Sequence, residues 1–336
     1  MQSTNVAVVT VTYGNRWNFL SQLVGVVMND PYVTKLIIVD NGSKNKKEIE
    51  EGVKKYGDKV VILRQEKNIG SAGGFARGLA YARGVACDYI FMLDDDNVPE
   101  EGAIEKFLEL RKLFLNEKVV LVGSRPLLLG NTDIFYKKII TDTSLKFTFF
   151  EVFSFAKFFN FLKLFRSTKG LIRGTLIPIV PNESFIYGGA FIPIEAVREA
   201  PLPDASLVLY GDDIEYSWGI KKLGYESYAC IRPRINDASV TFSDGSHISG
   251  LFDPGTEIFK VYYRIRNMVR ISIRTTTQAQ TILFLNIIVW TSGLCILGMF
   301  KYGVNRNYVR RIRIILQAVY GGYEVNYRTP KEAELP

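Results

Sequence analysis

One stretch of this chain constrains the fold more than any other, residues 88–97 with the sequence DYIFMLDDDN. Five apolar or aromatic residues run directly into three consecutive aspartates, Asp94, Asp95 and Asp96. An uninterrupted apolar run of this length is typical of a strand buried on both faces of a sheet. In open α/β sheets, ligands bind just beyond the carboxyl ends of the strands. A hard divalent cation, which prefers carboxylate oxygens, would offset the repulsion among the three aspartates. A solvated acidic turn is the plainer alternative, and the preceding buried strand favours the cation.

The segments around this stretch alternate between strand and helix. Strands are predicted at 6–11, 36–39, 60–64 and 119–123, and helices at 17–28, 46–56 and 100–115, with a further helix that follows a glycine-rich turn at 68–74 and runs to about 83. This alternation predicts the α/β class, with a doubly wound, mostly parallel sheet and helices on both faces. Right-handed crossovers then bring the polar turns at 12–16, 40–43 and 94–97 to one edge of the sheet.

The C-terminal region is basic and apolar. The net charge is +8, and the segments 260–274 and 301–313 each contain five basic residues and no acidic one. Between them, 281–300 is twenty residues without a charge, the minimum length for a bilayer span. Polar residues within it and basic residues on both flanks leave three interpretations open: a helix embedded in or lying on a membrane surface, a true span, or a buried core helix. The apolar segment between two basic blocks favours lipid over nucleic acid as the anionic partner.

A second candidate for membrane contact lies at 135–165, where eleven Phe or Tyr residues are interleaved with lysines. Near-helical spacing of apolar residues at 155–165 is consistent with a basic amphipathic helix at a membrane surface. A helix or hairpin packed on the main domain fits the pattern equally well. The three cysteines have no metal-ligand spacing and the chain enters a strand pattern by Val6 without a signal peptide, so we expect the catalytic part to face the cytoplasm.

Several polar turns suggest parts of one site. Asp40 ends a strand and can accept a hydrogen bond from a base or ribose, and the turn at 68–74 offers backbone N–H groups for phosphate. Asp212 and Asp213 begin a predicted helix, where the helix dipole favours carboxylates, although helix capping alone would explain them. A metal-bound diphosphate with a carboxylate opposite suits displacement at a carbon that bears a diphosphate leaving group. A single in-line displacement would invert that carbon.

These segments carry a resemblance to a known family. The matching stretches are VVTVTYGNR at 8–16, IIVDNGS at 37–43, NIGSAGGFARG at 68–78, MLDDDNVPEEGAI at 92–104, FIYGGAFIP at 185–193 and YGDDIEYSWGIKKLGY at 210–225. In this order they resemble family 2 glycosyltransferases with the GT-A fold. The triple aspartate, YYRIRN at 262–267 and AVYGGYEVNYRTP at 318–330 look like the rhamnosyltransferase and galactofuranosyltransferase branches.

The resemblance implies a role for each matching position. The residues implied to hold the nucleoside are Thr12, Tyr13, Arg16 and Asp40. Those implied to line the nucleotide-sugar pocket are Asn68, Gly73, Asp94 and Asp95, and those on the acceptor side are Gly188, Gly189 and Ala190. Asp96, with Asp94, is implied to bind Mg²⁺ or Mn²⁺, and Asp213 is implied to be the general base with support from Asp212.

The chain departs from the family at one position. Members often carry a metal-binding histidine in a pattern like Val-x-His after the helix of the base, but Phe242 occupies the equivalent position here. The single histidine of the chain, His247, lies five residues later. His247 is either a substitute metal ligand or a structural or solvated loop residue. Without it, the metal would be held mainly by Asp96 and the diphosphate.

The expected organisation is a GT-A domain at 1–255, with a nucleotide-sugar half at 1–125 and an acceptor half at 126–255, followed by a helical, membrane-associated region at 256–336. The expected function is inverting transfer of galactofuranose or rhamnose from a UDP- or dTDP-sugar to a lipid-linked or membrane-bound glycan. We expect this at the cytoplasmic face of the membrane, with a peripheral or monotopic protein and no nucleic-acid partner. An inactive scaffold with the same fold is the main alternative. A nucleotidyltransferase is the other, but TYGNR at 12–16 lacks the glycine-rich basic signature of a triphosphate-binding loop.

Overall fold

A computed structural model describes residues 4–125, 148–149, 153–154, 179–239, 249–276 and 279–336. The predicted segment 135–165 lies largely outside these residues, and Phe242 and His247 lie wholly outside them. The predictions made for those positions therefore stay predictions.

The first half of the chain alternates strands and helices as the sequence predicts. Its elements are β1 (Val6–Thr12), α1 (Trp17–Val27), β2 (Val33–Asn41), α2 (Lys46–Val53), β3 (Val60–Gln65), α3 (Gly70–Ala82) and β4 (Tyr89–Asp94). All strand pairs among β3, β2, β1 and β4 are parallel, in that order across the sheet. A 3₁₀ helix, Lys54–Lys59, replaces the last turns of the predicted helix at 46–56.

The second half adds strands of both directions. Its elements are β5 (Asn97–Pro99), α4 (Ala103–Arg111), β6 (Val119–Ser124), β7 (Thr148–Phe149), β8 (Phe153–Ser154), β9 (Ile179–Asn182), β10 (Ala190–Pro193), α5 (Ile194–Glu199), α6 (Asp212–Lys222) and β11 (Glu226–Asp237). Strand β10 is antiparallel between β4 and β6, and β11 pairs with β6, β9 and β5. The described strands thus confirm the predicted α/β class with a mostly parallel sheet in its first half.

The core lies on both faces of this sheet, and β4 shows why. Its side chains alternate, with Ile90 and Met92 in one hydrophobic cluster and Phe91 and Leu93 in the other. All four are fully buried, as the apolar run predicts. Helix α3 covers the first face, and α1 and α4 cover the second.

Strand register brings the polar turns together. Thr12 at the end of β1 pairs with Asp40 of β2, and the preceding residue, Val11, pairs with Asp94 of β4. Because the three strands are parallel, their carboxyl ends meet at one edge of the sheet. The predicted convergence of these turns is confirmed.

The glycine-rich segment at 68–74 differs from the sequence expectation, because α3 already begins at Gly70. A Cβ on Gly74 would lie 2.6 Å from a methyl of Val11, and a Cβ on Gly78 would lie 2.6 Å from a methyl of Val9. Both glycines let the helix backbone approach β1 more closely than any side chain would permit. Their role in the described structure is helix–sheet packing.

The C-terminal region is helical. It contains α7 (Ser249–Phe252), α8 (Ile258–Thr275), α9 (Gln280–Tyr302), α10 (Arg306–Tyr323) and a final 3₁₀ helix, Lys331–Ala333. Helix α9 is long and apolar enough to cross a membrane by length and composition, and 39% of its most apolar window is buried in the protein. Its buried side, which includes Leu283, Ile287, Trp290 and Leu294, packs in a shared hydrophobic cluster with α8 and α10.

Candidate active site

The three aspartates of the turn after β4 occupy three different environments. Asp95 is buried and accepts a hydrogen bond of 2.7 Å from the Thr12 hydroxyl. The Arg16 guanidinium donates to both of its oxygens at 2.8–3.0 Å. Burial raises the pKa of Asp95, and the bonds from Arg16 and Thr12 oppose that rise. Asp95 is therefore a structural link between the turn after β1 and the turn after β4.

Asp96 is also buried and is held by its own chain. One oxygen accepts from Arg16 Nη2 at 2.9 Å and from the Ser239 hydroxyl, and the other accepts from Asn97 Nδ2 at 3.3 Å. The backbone N–H of Ala238 donates to the Asp96 carbonyl at 2.7 Å. These bonds connect the turn to the segment that follows β11.

Asp94 is the most accessible carboxylate of the three, with 42% of its side chain exposed. Arg125 Nη1 lies 3.4 Å from its Oδ2. Desolvation within the crevice and the charges of Asp96, Asp95 and Asp213 raise the pKa of Asp94 to about 6, although Arg125 lowers it. Asp94 therefore presents an oxygen to the crevice in an environment that favours a second cation.

Arg125 is fixed by a network that reaches the end of β11. Its Nε donates to Asp237 Oδ1 at 3.0 Å, and Asn97 Nδ2 donates to the same oxygen at 2.8 Å. A Cβ on Gly188 would overlap Asn97 Oδ1 and would lie 2.5 Å from Arg125 Nη1 and 2.9 Å from Asp94 Oδ2. Glycine at 188 is therefore required for this network to close.

The two neighbouring acceptor-side residues, Gly189 and Ala190, are positioned by the backbone conformation and by burial. Gly189 has φ +101°, a conformation that favours glycine, and its N–H donates to the Met92 carbonyl at 2.9 Å. Ala190 is fully buried at the start of β10. Only Gly188 of the three lies directly against the carboxylates.

Asp212 and Asp213 form the first turn of α6. Asp212 is buried beside the Ser71 hydroxyl, whose Oγ is 3.2 Å from Asp212 Oδ2. Asp213 is half-buried, and its Oδ1 accepts from the N–H of Ile214 at 2.8 Å. Burial raises the pKa of both carboxyls, and their mutual repulsion contributes at Asp212. The charge of Arg125 lowers the pKa of Asp213, as it does that of Asp94.

The turn before α6 is strained. Val208 has φ 63° and ψ −60°, and the N–H of Leu209 donates to the Leu207 carbonyl at 2.6 Å. This is the rarer, positive-φ type of γ-turn. Tyr210 and Gly211 also have positive φ, 68° and 82°. Such backbone conformations in residues other than glycine cost about 1–3 kcal/mol each and persist only where the surroundings enforce them.

The remaining predicted nucleotide residues lie at the same edge. Asp40 is fully buried, and its oxygens accept from the Ser43 N–H at 2.8 Å and from Arg64 Nη1 at 2.9 Å. Tyr13 is 38% exposed, and the Arg16 guanidinium lies 5.4 Å from the centre of its ring. Tyr13 thus offers an open aromatic face, whereas Asp40 is enclosed by partners from its own chain.

Three backbone amides at the start of α3 and just before it already have partners within the protein. Asn68 Oδ1 accepts from the N–H of Gly70, and Asn41 Oδ1 accepts from the N–H of Ile69, both at 3.0 Å. The N–H of Ala72 donates to the Val208 carbonyl at 3.2 Å. A Cβ on Gly73 would lie 2.9 Å from the side chain of Ile69. The expectation that this segment presents a row of amides to phosphate does not fit these three bonds.

The donor chemistry suits a hard divalent cation, because Asp94 and Asp96 provide carboxylate oxygens. Within the part of the chain that the structure describes, no three acidic, histidine or cysteine side chains converge on one point. A Mg²⁺ or Mn²⁺ ion would therefore be held by one or two carboxylates, as is usual where a diphosphate supplies further oxygens. His247 lies outside the described residues.

Several residues of this network were not expected from the sequence. They are Asn97, Arg125, Asp237 and Ser239. Asn97 follows the three aspartates directly, so its position was a usable signal. Arg125 follows the predicted strand at 119–123, but its pairing with Asp237, the last residue of β11, depends on β6 and β11 being neighbours, which no local pattern shows.

Comparisons with known proteins agree with this geometry. Residues 7–173 match the model of glycosyl transferase family 2. The chain is 25% identical over 226 residues to the galactofuranosyltransferase GlfT1 of Mycolicibacterium smegmatis. The aligned region covers 67% of this chain and 68% of that protein. It is 23% identical over 245 residues to GlfT1 of Mycobacterium tuberculosis, and the aligned region covers 70% of this chain and 71% of that protein.

Solved structures share the fold. The mannosyltransferase PcManGT from Pyrobaculum calidifontis, in complex with GDP-Man and Mn²⁺, has a TM-score of 0.50 at 12% identity, covering 98% of this chain and 77% of that one. S. aureus TarS 1–349 in complex with UDP-GlcNAc has a TM-score of 0.51 at 12% identity, covering 95% and 81%. GalNAc-T7 with UDP, GalNAc and Mn²⁺ has a TM-score of 0.50 at 15% identity, covering 69% of this chain and 43% of that one. The sheet, the triple-aspartate turn and these matches together identify the chain as a glycosyltransferase that carries a family 2 domain on the GT-A fold.

Proposed function

We propose that this glycosyltransferase transfers galactofuranose or rhamnose, with inversion, from a UDP- or dTDP-sugar to a hydroxyl of a lipid-linked glycan. One observation carries the proposal above the others. Asp213 lies in the first turn of α6, Asp94 follows β4 with Arg125 Nη1 3.4 Å from its Oδ2, and the charge of Arg125 lowers the pKa of both carboxyls. A crevice with a donor-side carboxylate cluster and one separate carboxylate is what direct displacement of a nucleoside diphosphate requires.

In this proposal Asp213 removes the proton of the incoming hydroxyl. Its raised pKa makes it a stronger base than an ordinary carboxylate, and Arg125 keeps that pKa from rising further. Asp212 is buried behind it beside Ser71 and supports the first turn of α6. Gly188, whose missing side chain lets Asn97 and Arg125 pack beside Asp94, belongs to the acceptor side of this arrangement.

The donor lies along the edge formed by the ends of β1, β2 and β4. Tyr13 offers its exposed ring to the base, and Thr12 and Arg16 hold the Asp95 carboxylate in place. Asp94 is directed at the ribose or sugar. Asp96, with Asp94, would hold Mg²⁺ or Mn²⁺, which stabilises the negative charge of a departing diphosphate when bound. Asp40, Asn68 and Gly73 belong to the same edge and maintain its backbone through the hydrogen bonds and close packing described above.

The preference for galactofuranose follows the two GlfT1 proteins, and the lipid-linked acceptor follows from the C-terminal helices. The exposed side of α9 is largely apolar and includes Phe284, Leu285, Ile288, Val289, Ile296, Leu297 and Phe300. With basic residues in α8 and α10 on either side along the chain, this face suits the surface of an anionic membrane. The GT-A domain at 1–255 then works at the cytoplasmic face while the region at 256–336 holds it there.

Two measurements test the proposal. The first is the melting temperature of the protein with UDP, dTDP, GDP or CDP, each with Mn²⁺ and with a chelator. A nucleotide that binds only the folded state raises the melting temperature, and we expect a metal-dependent rise with UDP or dTDP. No rise with any nucleotide in folded protein would favour the inactive scaffold.

The second measurement is turnover of Asp213→Asn with the donor selected by the melting experiment. We expect its kcat to fall by about 10²–10⁴-fold because the general base is lost. Nucleotide binding should be unchanged, since Asp213 lies outside the donor edge. Near-normal turnover would remove Asp213 from this role.

A further inference from the structure

The turn at 207–211 leads into Asp213, and the bond from the Ala72 N–H of α3 accounts for one of its carbonyls, that of Val208. The turn leads directly into the first residues of α6. Val208 and Tyr210 both have positive φ, which their side chains disfavour. A relaxed turn would point the first residues of α6 in a different direction.

Further support comes from α8. Asn267 Nδ2 donates to the carbonyls of Leu207, Leu209 and Tyr210 at 2.7, 2.7 and 2.9 Å. Arg266 Nη2 donates to the carbonyls of Ser206 and Leu207, both at 2.8 Å. Four of the five carbonyls from 206 to 210 are thus bonded by two neighbouring side chains of one helix.

Both side chains are committed to this task. Asn267 is 1% exposed and Arg266 is 6% exposed. Arg266 Nε donates to Asn267 Oδ1 at 2.8 Å, which directs the amide nitrogen of Asn267 towards the turn. Burial lowers the pKa of Arg266, and burying a guanidinium costs free energy. The bonds to backbone carbonyls of the turn replace the bonds to water that Arg266 loses.

Helix α8 also touches the two ends of the turn. A Cβ on Gly211 would lie 2.6 Å from Ile271 Cδ1, so the helix packs directly on the residue that precedes α6. Arg274 Nη1 forms ion pairs of 2.7 Å with Asp204, before the turn, and with Glu215, one turn into α6. The support therefore spans the whole approach to Asp213.

We propose that Asn267, with Arg266, is a positioning residue of the transfer reaction: the pair holds the strained turn at 207–211 in the geometry that aims Asp213 into the crevice. This rests on the proposed role of Asp213. The YYRIRN segment at 262–267 then has an active-site function although neither residue reaches the reacting atoms. Two side chains of α8, in the C-terminal region, accordingly contribute to the position of Asp213.

The test compares Asn267→Asp with Arg270→Lys. The aspartate keeps the size of the side chain but turns an acceptor towards three carbonyls, so the turn should relax. Arg270 is buried on the same helix and donates to the Gly321 carbonyl at 3.0 Å, away from the turn, so its variant controls for general weakening of the C-terminal helices. Asn267→Ser, which keeps one donor and adds no charge, serves if the aspartate variant does not fold.

We expect Asn267→Asp to lower kcat by a factor between about 10 and 100, with the KM for the donor and nucleotide binding unchanged. Hydrogen exchange of the amides at 207–214 should accelerate in this variant and not in Arg270→Lys. A folded Asn267→Asp protein with wild-type kcat and wild-type exchange would overturn the proposal. Equal losses of kcat in both variants would overturn it as well, because they would indicate general destabilisation.

Asp213→Asn measured in parallel separates this inference from the proposed function. If Asp213→Asn retains turnover, the role of the base fails, and hydrogen exchange still decides whether Asn267 holds the turn. If Asp213→Asn loses turnover while both Asn267 variants retain it, the positioning role alone fails.

Discussion

At the scale of single residues, three adjacent aspartates have become three different groups. Asp95 is bound by Thr12 and Arg16, Asp96 is bound by Arg16 and Ser239, and Asp94 keeps an oxygen open to the crevice. The sequence predicts that all three gather at the end of a buried strand. It does not predict which aspartate is bound by which partner, because partners such as Thr12, Arg125 and Ser239 lie far away along the chain.

Arg125 is the clearest example of such a group. As a single arginine after a strand pattern, it resembles many surface residues. Only the neighbouring positions of β6 and β11 pair it with Asp237, and only the lack of a side chain at Gly188 lets it approach Asp94. The residue that lowers the pKa of both Asp94 and Asp213 therefore has no local sequence signal.

The charge of Arg125 leads to a prediction about pH. Arg125 lowers the pKa of Asp213, so Arg125→Gln should raise that pKa further. Asp213 acts as a base only when deprotonated, so the acidic limb of the kcat–pH profile should move to higher pH. The loss of kcat should be larger at pH 6 than at pH 8. Arg125→Lys keeps the charge and serves as the control, and an unmoved limb in Arg125→Gln would show that Arg125 does not act on the base.

At the scale of elements, helices and strands were largely predictable and their ends were not. The apolar positions Leu20, Leu23, Val24 and Val27 recur at helical spacing and are all buried in α1. The glycines of the predicted turn at 68–74 were expected to let backbone amides approach phosphate, yet α3 begins at Gly70 and contains all three. Glycine usually marks a turn because of its backbone freedom, but here its small size is used, and a sequence does not separate these two causes.

The packing of α3 gives the second prediction. Gly78→Ala would place a methyl group 2.6 Å from Val9 and 3.1 Å from Val39, both in the sheet. We expect it to lower the free energy of unfolding by about 1–3 kcal/mol, the usual cost of overpacking a core. Chemical denaturation measures this directly.

Gly25→Ala in α1 is the matched control, since a Cβ there would meet nothing within 4 Å. Alanine should raise the free energy of unfolding by up to about 1 kcal/mol because it is a better helix former than glycine. Equal effects of the two substitutions would contradict the close approach of α3 to the sheet.

At the scale of the whole molecule, the fold class and the edge that carries the site were predictable because they follow from alternation and from the rules of parallel sheets. The contact between the C-terminal helices and the turn at 207–211 was not predictable. It joins residues about 60 positions apart. Its acceptors are backbone carbonyls, which every residue carries, so no residue type in the sequence marks them. YYRIRN could be noticed as a motif, but its purpose appears only in three dimensions.

The exposed face of α9 gives a prediction for the intact protein. Leu285 and Leu297 are 59% and 54% exposed on that face. The double substitution Leu285→Glu with Leu297→Glu should reduce binding to vesicles of anionic lipid at least about tenfold, because each charge opposes insertion of the apolar face. Sedimentation with vesicles measures the bound fraction.

Leu115→Glu provides the comparison, because Leu115 is a fully exposed apolar residue outside the C-terminal helices. It should bind vesicles like the unaltered protein, and all three proteins should melt at similar temperatures. Unchanged binding of the double variant would mean that α9 does not contact lipid.

Two glycines of α10, Gly321 and Gly322, allow close helix packing that bears on when the support of the turn at 207–211 forms. A Cβ on Gly322 would lie 2.5 Å from Val269, so α10 fits closely against the helix that carries Arg266 and Asn267. During synthesis the ribosome delivers the sheet, the aspartates and α6 before α8 and α10 emerge. The carboxylate that we propose as the base is thus made before the helix that positions it, so we expect transfer activity to appear only after α8 has folded onto the turn at 207–211.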